Sequence, residues 1–278
     1  GSGGGGQSQS GSGGDEQSGH SYASIDAPSF FTGIDMLNAS LPRKLNFTHT
    51  QIIVFSEELA REGLIGEYIA PLSRFREIRR SAHVFVVKGK AIDFLKENKP
   101  VIGTTISKSF QVLTHASENI GFFPHTTLEN FYEGLKSPYG QAIAAMASVN
   151  DSKSFAENGE PWGTKFKTGG DYFAGQLPRT GQNKIEVWGT ALFNGDKMVG
   201  ELNGDETRFL LMIRGEFKQG SFTMQDPQKP ELIIPLDVRV SKKPQIDIDI
   251  KDKKPVIRLK VQLDADLLAV QSMINYEQ

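Results

Sequence analysis

Gln51-Ile-Ile-Val-Phe55, Ser56-Glu-Glu-Leu-Ala-Arg-Glu62 and Ala82-His-Val-Phe-Val-Val87 are the stretches that decide the fold class. The first and third are continuous apolar runs without alternation. Strands buried on both faces of a sheet read this way. Ser56 is a preferred N-cap residue, and Glu57 and Glu58 fall in the first turn, where they complement the helix dipole. Leu59, Leu64 and Tyr68 carry the pattern on, predicting a helix to about Phe75. Lys88-Gly89-Lys90 then turns the chain into a short predicted helix, Ala91 to Glu97. Strand, helix, strand, helix is the order of an α/β layer.

Upstream, residues 1–20 hold nine Gly and five Ser. So little apolar surface cannot offset the entropy of ordering, which predicts a flexible loop or linker. Tyr22 to Ile25 reads as a short strand. Asp26 reads as the cap of a helix carrying Phe30, Phe31, Ile34, Leu37 and Leu41, stopped by Pro42.

Downstream, Pro100 to Gly103 reads as a boundary. Thr104 to Glu118 has helical spacing, and Thr126 or Thr127 caps a helix through Leu135. Tyr139 to Val149 fits strand or helix. Residues 150–183 read as a long irregular excursion. Lys184 to Phe193 reads as a strand, Asn194-Gly195 as a turn and Lys197 to Leu202 as its hairpin partner. Asn203 caps a helix from Glu206 to Arg214. From Phe217 the period becomes two. Leu232–Val240, Gln245–Ile250 and Val256–Leu263 alternate as half-buried antiparallel strands, with Pro244 and Pro255 at the joints and a helix beginning near Ala265. The expected division is 1–20 as linker, 21–99 as a first α/β domain, 100–216 as a second α+β domain and 217–278 as the start of an antiparallel-sheet domain. The fold class is α+β, multi-domain, with mixed sheets flanked by helices and a C-terminal antiparallel sheet.

Composition narrows the chemistry. The chain has 278 residues, 31 Lys and Arg against 33 Asp and Glu, and no Cys. Near-neutrality removes the broad basic field of a nucleic-acid binder, so no nucleic-acid partner is expected. Without Cys there is no disulfide, thiolate nucleophile or Cys-based zinc site. No apolar run approaches the ~20 residues that span a bilayer. His20, His49, His83, His115 and His125 share no metal-ligand spacing. Asp247 and Asp249 lie on one strand face, which suits either calcium or plain solvation; no glycine-turned loop holds them. No nucleophile has an evident activator, and no phosphate-cradling glycine motif follows a strand. No catalytic residue, cofactor or metal is expected.

Arg74, Arg76, Arg79 and Arg80 form the densest charge cluster. Cations at a helix C-terminus offset its dipole. The functional alternative is contact with anionic lipid headgroups or an acidic partner. Glu57, Glu58, Arg61 and Glu62 read as a solvated mixed-charge face, Trp188 as core, and Trp162 as packed or partner-facing.

Three stretches carry a family resemblance. Leu41-Pro-Arg-Lys-Leu-Asn-Phe-Thr-His-Thr-Gln-Ile-Ile-Val-Phe-Ser-Glu-Glu-Leu-Ala-Arg-Glu-Gly63 resembles the C-subunit lipoproteins of bacterial spore germinant receptors, the Ger(x)C family. Arg76 through Leu95, with Lys88-Gly-Lys-Ala91, resembles the family's next strand and helix. Val187-Trp-Gly-Thr-Ala-Leu-Phe-Asn-Gly-Asp-Lys-Met-Val-Gly200 resembles its G-x-A-[VIL]-F-x-x-D-[RK]-[LM]-V-G hairpin. The resemblance implies a non-enzymatic subunit lipidated on an N-terminal Cys. It implies a place on the outer face of the inner spore membrane, with A and B receptor subunits as partners in nutrient-triggered germination. An alternative is direct binding of the small-molecule germinant by this chain, and a cortex hydrolase is a more distant one. The lipidated Cys and the family's first strands are absent, and its last domain normally continues further. The chain is therefore expected to be a fragment of the ectodomain.

Overall fold

A computed structural model describes residues 21–99, 110, 113, 114, 117, 119–150, 168–181 and 183–269. The chain divides into two units, Gly1–Leu45 and Asn46–Gln278.

The first unit holds helix α1 (Phe30–Ser40). Its cap is Ser29, whose hydroxyl accepts from the Thr32 amide at 3.2 Å, so the helix starts one turn later than an Asp26 cap requires. Residues 21–27 form no strand, and no described strand pairs with them. After the helix, Asn38 Oδ1 accepts from the Leu45 amide at 2.7 Å.

The second unit is built on a five-stranded sheet of order β1-β2-β3-β4-β5. These are β1 (Ile52–Ser56), β2 (His83–Val87), β3 (Ile143–Val149), β4 (Ile185–Asn194) and β5 (Lys197–Leu202). The first three run parallel, with Ile52 beside His83 and Phe85 beside Ala145. The last two are antiparallel. The strands on either side of the expected 99/100 division therefore share one sheet. Within the stretch 139–149, open between strand and helix in the sequence, residues Ile143–Val149 are a strand whose small Ala side chains let the layers close.

The helix expected from Glu57 to Phe75 is two helices, α2 (Glu57–Glu62) and α3 (Ile65–Arg74). Gly63 separates them at φ 87°, a left-handed conformation that glycine adopts without steric cost. Ser56 caps α2 as expected, accepting from the Leu59 amide. Helix α4 (Ala91–Lys96) follows β2, and α5 (Leu128–Lys136), capped by Thr127, precedes β3. Most of the expected helix 104–118 lies outside the described residues. The core joins Phe85, Val87, Phe94, Phe110, Phe123, Ala145, Ala147, Ile185 and Val187.

Between 168 and 184 the described chain has no helix or strand, yet it is tied down. Glu186, buried on β4, accepts from the amide of Gly175 at 2.8 Å and from the side chain of Asn150, with Arg179 at 3.6 Å. Those donors satisfy a carboxylate that burial alone would make costly.

Helix α6 (Gly204–Arg214) begins in a capping box. Asn203 and Glu206 bond each other's amides at 2.9 Å. It packs on β4 and touches the second sheet, β6 (Gln219–Gln225), β7 (Ile233–Lys251) and β8 (Lys254–Leu267). This sheet is antiparallel throughout, in the order β6-β7-β8. Its membership differs from expectation. The stretches 232–240 and 245–250 are one strand, because register irregularities between Val240 and Gln245 absorb Pro244 without ending the ladder. β6 takes the third place. The turn between β7 and β8 is at Asp252-Lys253, not at a proline; of the helix expected from Ala265 to Asn275, residues 265–267 are the end of β8 and 270–275 lie outside the described residues.

Arg208 of α6 joins the two sheets. It is 4 % exposed, donating to the carbonyls of Ile120 (2.9 Å) and Ser221 (2.8 Å). Its guanidinium lies 3.6 Å from the centre of the Phe122 ring and 4.4 Å from that of Phe222. Burial pushes its pKa down to about 10, partly countered by the Asp205 carboxylate. Arg208 is thus charged throughout the neutral range.

Candidate functional site

Parallel strands β1 and β2 start at the same end of the sheet, and three separate segments meet there. The turn before β1 is held by Asn46, whose side chain accepts from the Thr48 amide at 2.9 Å, and by a bond from the Thr50 amide to the Phe47 carbonyl at 3.0 Å. Phe47 ties this turn to the segment before β2. Its amide donates to Glu77 at 3.1 Å, and its ring meets Phe75 at 5.7 Å. That segment, 75–82, makes two tight turns, from Ile78 to Phe75 and from Ala82 to Arg79, each at 3.0 Å. Buried Ile78 anchors it, so the arginines around it face outward. The third segment is the loop before α5. The Val84 amide donates to Thr126 and the Leu128 amide to Ala82, at 3.0 and 2.8 Å. This pairing brings the His125 ring to 4.8 Å from that of His83.

Arg74, Arg76, Arg79 and Arg80 are all exposed. Arg80 meets Glu129 at 3.4 Å, with both side chains at least half exposed, a contact worth ~0–1 kcal/mol. The other three make no ion pair among the described residues. Arg74 ends α3, as the dipole argument requires, whereas Arg76, Arg79 and Arg80 stand beyond the helix, where that argument no longer reaches.

Beside Arg79 the three segments enclose a recess of about 340 Å³. His49, His83, His125 and Arg79 line it, together with Gln51, Ser81 and four threonines. No carboxylate among the described residues does. A second cavity, about 360 Å³, lies at the carboxyl ends of β2 and β3. There Lys88, Lys90 and Lys184 are mixed with Asp93 and Glu97. Lys88 is already committed to Glu201 at 2.9 Å and stands over the Phe173 ring. The amino-end recess is the less self-neutralised of the two.

His20, His115 and Trp162 lie outside the described residues. Trp188 is half-buried and stacks on Phe122 at 3.8 Å. Asp247 and Asp249 are exposed, with Asp247 opposite Arg258 in the ladder. No group of three His, Asp or Glu that can hold a metal ion occurs among the described residues. Glu57 and Arg61 pair at 2.7 Å on the surface of α2. The histidine convergence was not visible in the sequence. The three residues are far apart in the chain; parallel pairing of β1 with β2, and the hydrogen bonds that tie the loop before α5 to the start of β2, bring them to one edge.

Comparison with known proteins gives two family matches in chain order. A model described as the spore germination protein N-terminal domain matches residues 2–149. One described as spore germination B3/GerAC-like, C-terminal, matches residues 188–278. No curated protein matches the chain. Among solved structures, the crystal structure of the GerBC protein is similar at 16 % identity, with a TM-score of 0.44. The match covers 85 % of this chain and 60 % of that one.

Proposed function

The chain belongs to the GerAC family of spore germination proteins, and from that membership we propose that it serves as a non-catalytic C subunit of a nutrient-sensing germinant receptor. It assembles with the A and B subunits on the outer face of the inner spore membrane. A lipid on the N-terminus of the whole protein holds it there. The observation that carries this reading is the pair of family matches, N-terminal model before C-terminal model, over residues 2–149 and 188–278. No helix among the described residues is long and apolar enough to cross a membrane. The exposed arginines of segment 74–80 supply a contact face of the sign that anionic headgroups or an acidic partner surface requires.

Arg74→Glu with Arg76→Glu in the full-length protein tests the contact. Spores are expected to lose the nutrient response, with subunit amounts unchanged. Tagged protein drawn from spore membranes is expected to bring the A and B subunits with it. Recovery of the tagged protein without either subunit overturns the assembly. A full nutrient response in the double variant removes the arginine face from it.

A further inference from the structure

We propose that the recess at the amino ends of β1 and β2 is a binding site for a phosphate-type oxyanion. Its described lining brings one guanidinium, Arg79, and three imidazoles, His49, His83 and His125, to a single concavity, with no carboxylate among the described residues there. The carboxylates on the adjoining segments are used elsewhere: Glu77 accepts from the Phe47 amide, and Glu129 faces Arg80.

Such a lining is set up to donate. A guanidinium offers a planar fork that matches two oxygens of a phosphate or carboxylate, and each protonated imidazole adds two donors. The His83 and His125 rings lie 4.8 Å apart, close enough for one oxyanion to accept from both. An anion in the recess gains charge-assisted hydrogen bonds from Arg79. The volume, about 340 Å³, falls at the lower end of the range for small-molecule sites and exceeds what a lone phosphate fills. The ligand is therefore a phosphate carrying a substituent, or a phosphate with ordered water. The same chemistry is presented by a phospholipid headgroup and by a free phosphate ester.

This inference is independent of the receptor-assembly reading, since a phosphate binds or fails to bind without any partner subunit. The test is a titration of the whole chain with inorganic phosphate at constant ionic strength, followed by NMR of the histidine ring signals. His83 and His125 are expected to shift together and saturate. Arg79→Gln and His125→Gln replace exposed residues, so the fold is retained, and each is expected to weaken binding about tenfold or more. Lys254→Gln, on the exposed β7–β8 ribbon, is expected to change nothing. Sedimentation with phosphatidylglycerol vesicles, and with phosphatidylcholine alone, separates the sources. If inorganic phosphate competes with anionic vesicles and Arg79→Gln weakens both, the ligand is a headgroup. If only the soluble phosphate depends on Arg79, it is a free ester. Histidine shifts that stay linear in phosphate, or equal affinity in Arg79→Gln, overturn the site.

Discussion

The two sheets of the second unit are both rich in β-branched and aliphatic residues, and they end in opposite environments. In β2, Val84 to Val87 are all buried, with Val86 at 0 % exposure. In the distal half of β7, every residue from Gln245 to Lys251 is exposed, with Ile248 at 69 %. The difference lies in what is stacked on each strand. β2 sits inside a five-stranded sheet, with α4, α5 and the loop carrying Phe123 against it. β7 has β6 beside it only as far as Arg239, and beyond that point it is one half of a two-stranded ribbon. Ile246, Ile248 and Ile250, with Ile257 and Leu259 across the ladder, form one apolar face of that ribbon. A ribbon of two strands has only marginal stability of its own, and an apolar face of that kind suits contact with another surface.

The sharpest way to break this comparison is to truncate one residue in each sheet. Phe85→Ala opens a cavity in the packed core and is expected to cost about 3–5 kcal/mol in denaturant unfolding. Ile248→Ala is expected to fall within about 0.5 kcal/mol. A similar cost for both means that the ribbon face is covered in solution.

The join between the sheets comes next. Arg208→Ala strands the carbonyls of Ile120 and Ser221 and removes the cation between two rings, an expected loss of about 2–4 kcal/mol. Because burial pulls the Arg208 pKa down only to about 10, the group is charged in both folded and unfolded chains below that value. The loss is therefore expected to be equal at pH 6 and pH 8. Only above about 10 does the unfolded chain hold the extra proton, so that this residue's contribution turns more favourable to folding as pH rises. A strong pH slope in the wild-type minus variant difference near neutrality contradicts this account.

The smallest effect sharpens the ribbon alone. Asp252 and Lys253 both take positive φ, 50° and 62°, in the two-residue turn. A primed turn of this kind prefers glycine at its second position. Lys253→Gly is expected to raise stability by about 0.5–1 kcal/mol, read as a higher unfolding midpoint with an unchanged slope.

Much of the five-stranded sheet was legible because its signals are local. The apolar run ending at Val87 marks a strand buried on both sides, and Asn194-Gly195 marks the β4–β5 hairpin; the run ending at Phe55 is also a strand, but it lies at the edge of the described sheet with only Phe55 buried, so the sheet-centre expectation fails for it. Asn203 with Glu206 marks the start of α6. What failed were inferences in which a breaker residue had to be weighed against its surroundings. Gly63 ended a helix that the spacing carried through, since a left-handed cap competes well where the next turn finds a different packing direction. Pro244 did not end a strand, since a bulge let the ladder continue past it. Ser29 displaced Asp26 as cap because its hydroxyl reaches the Thr32 amide. Of the candidate site, the arginine run was plain in the sequence. The recess was not, since its imidazoles come from three segments joined only by the sheet and by the loop bonded to the start of β2.

By itself the sequence determined the periods, the caps and the hairpin, because each depends on residues a few positions apart. It also determined the family, through motifs that lie in order along the chain. Only the tertiary structure decided which apolar strand is enclosed, where one sheet ends and the next begins, and that His49, His83, His125 and Arg79 share one cavity. Those outcomes depend on pairings between distant segments. Their energies come from burial and hydrogen bonds that no single segment possesses until the others are in place.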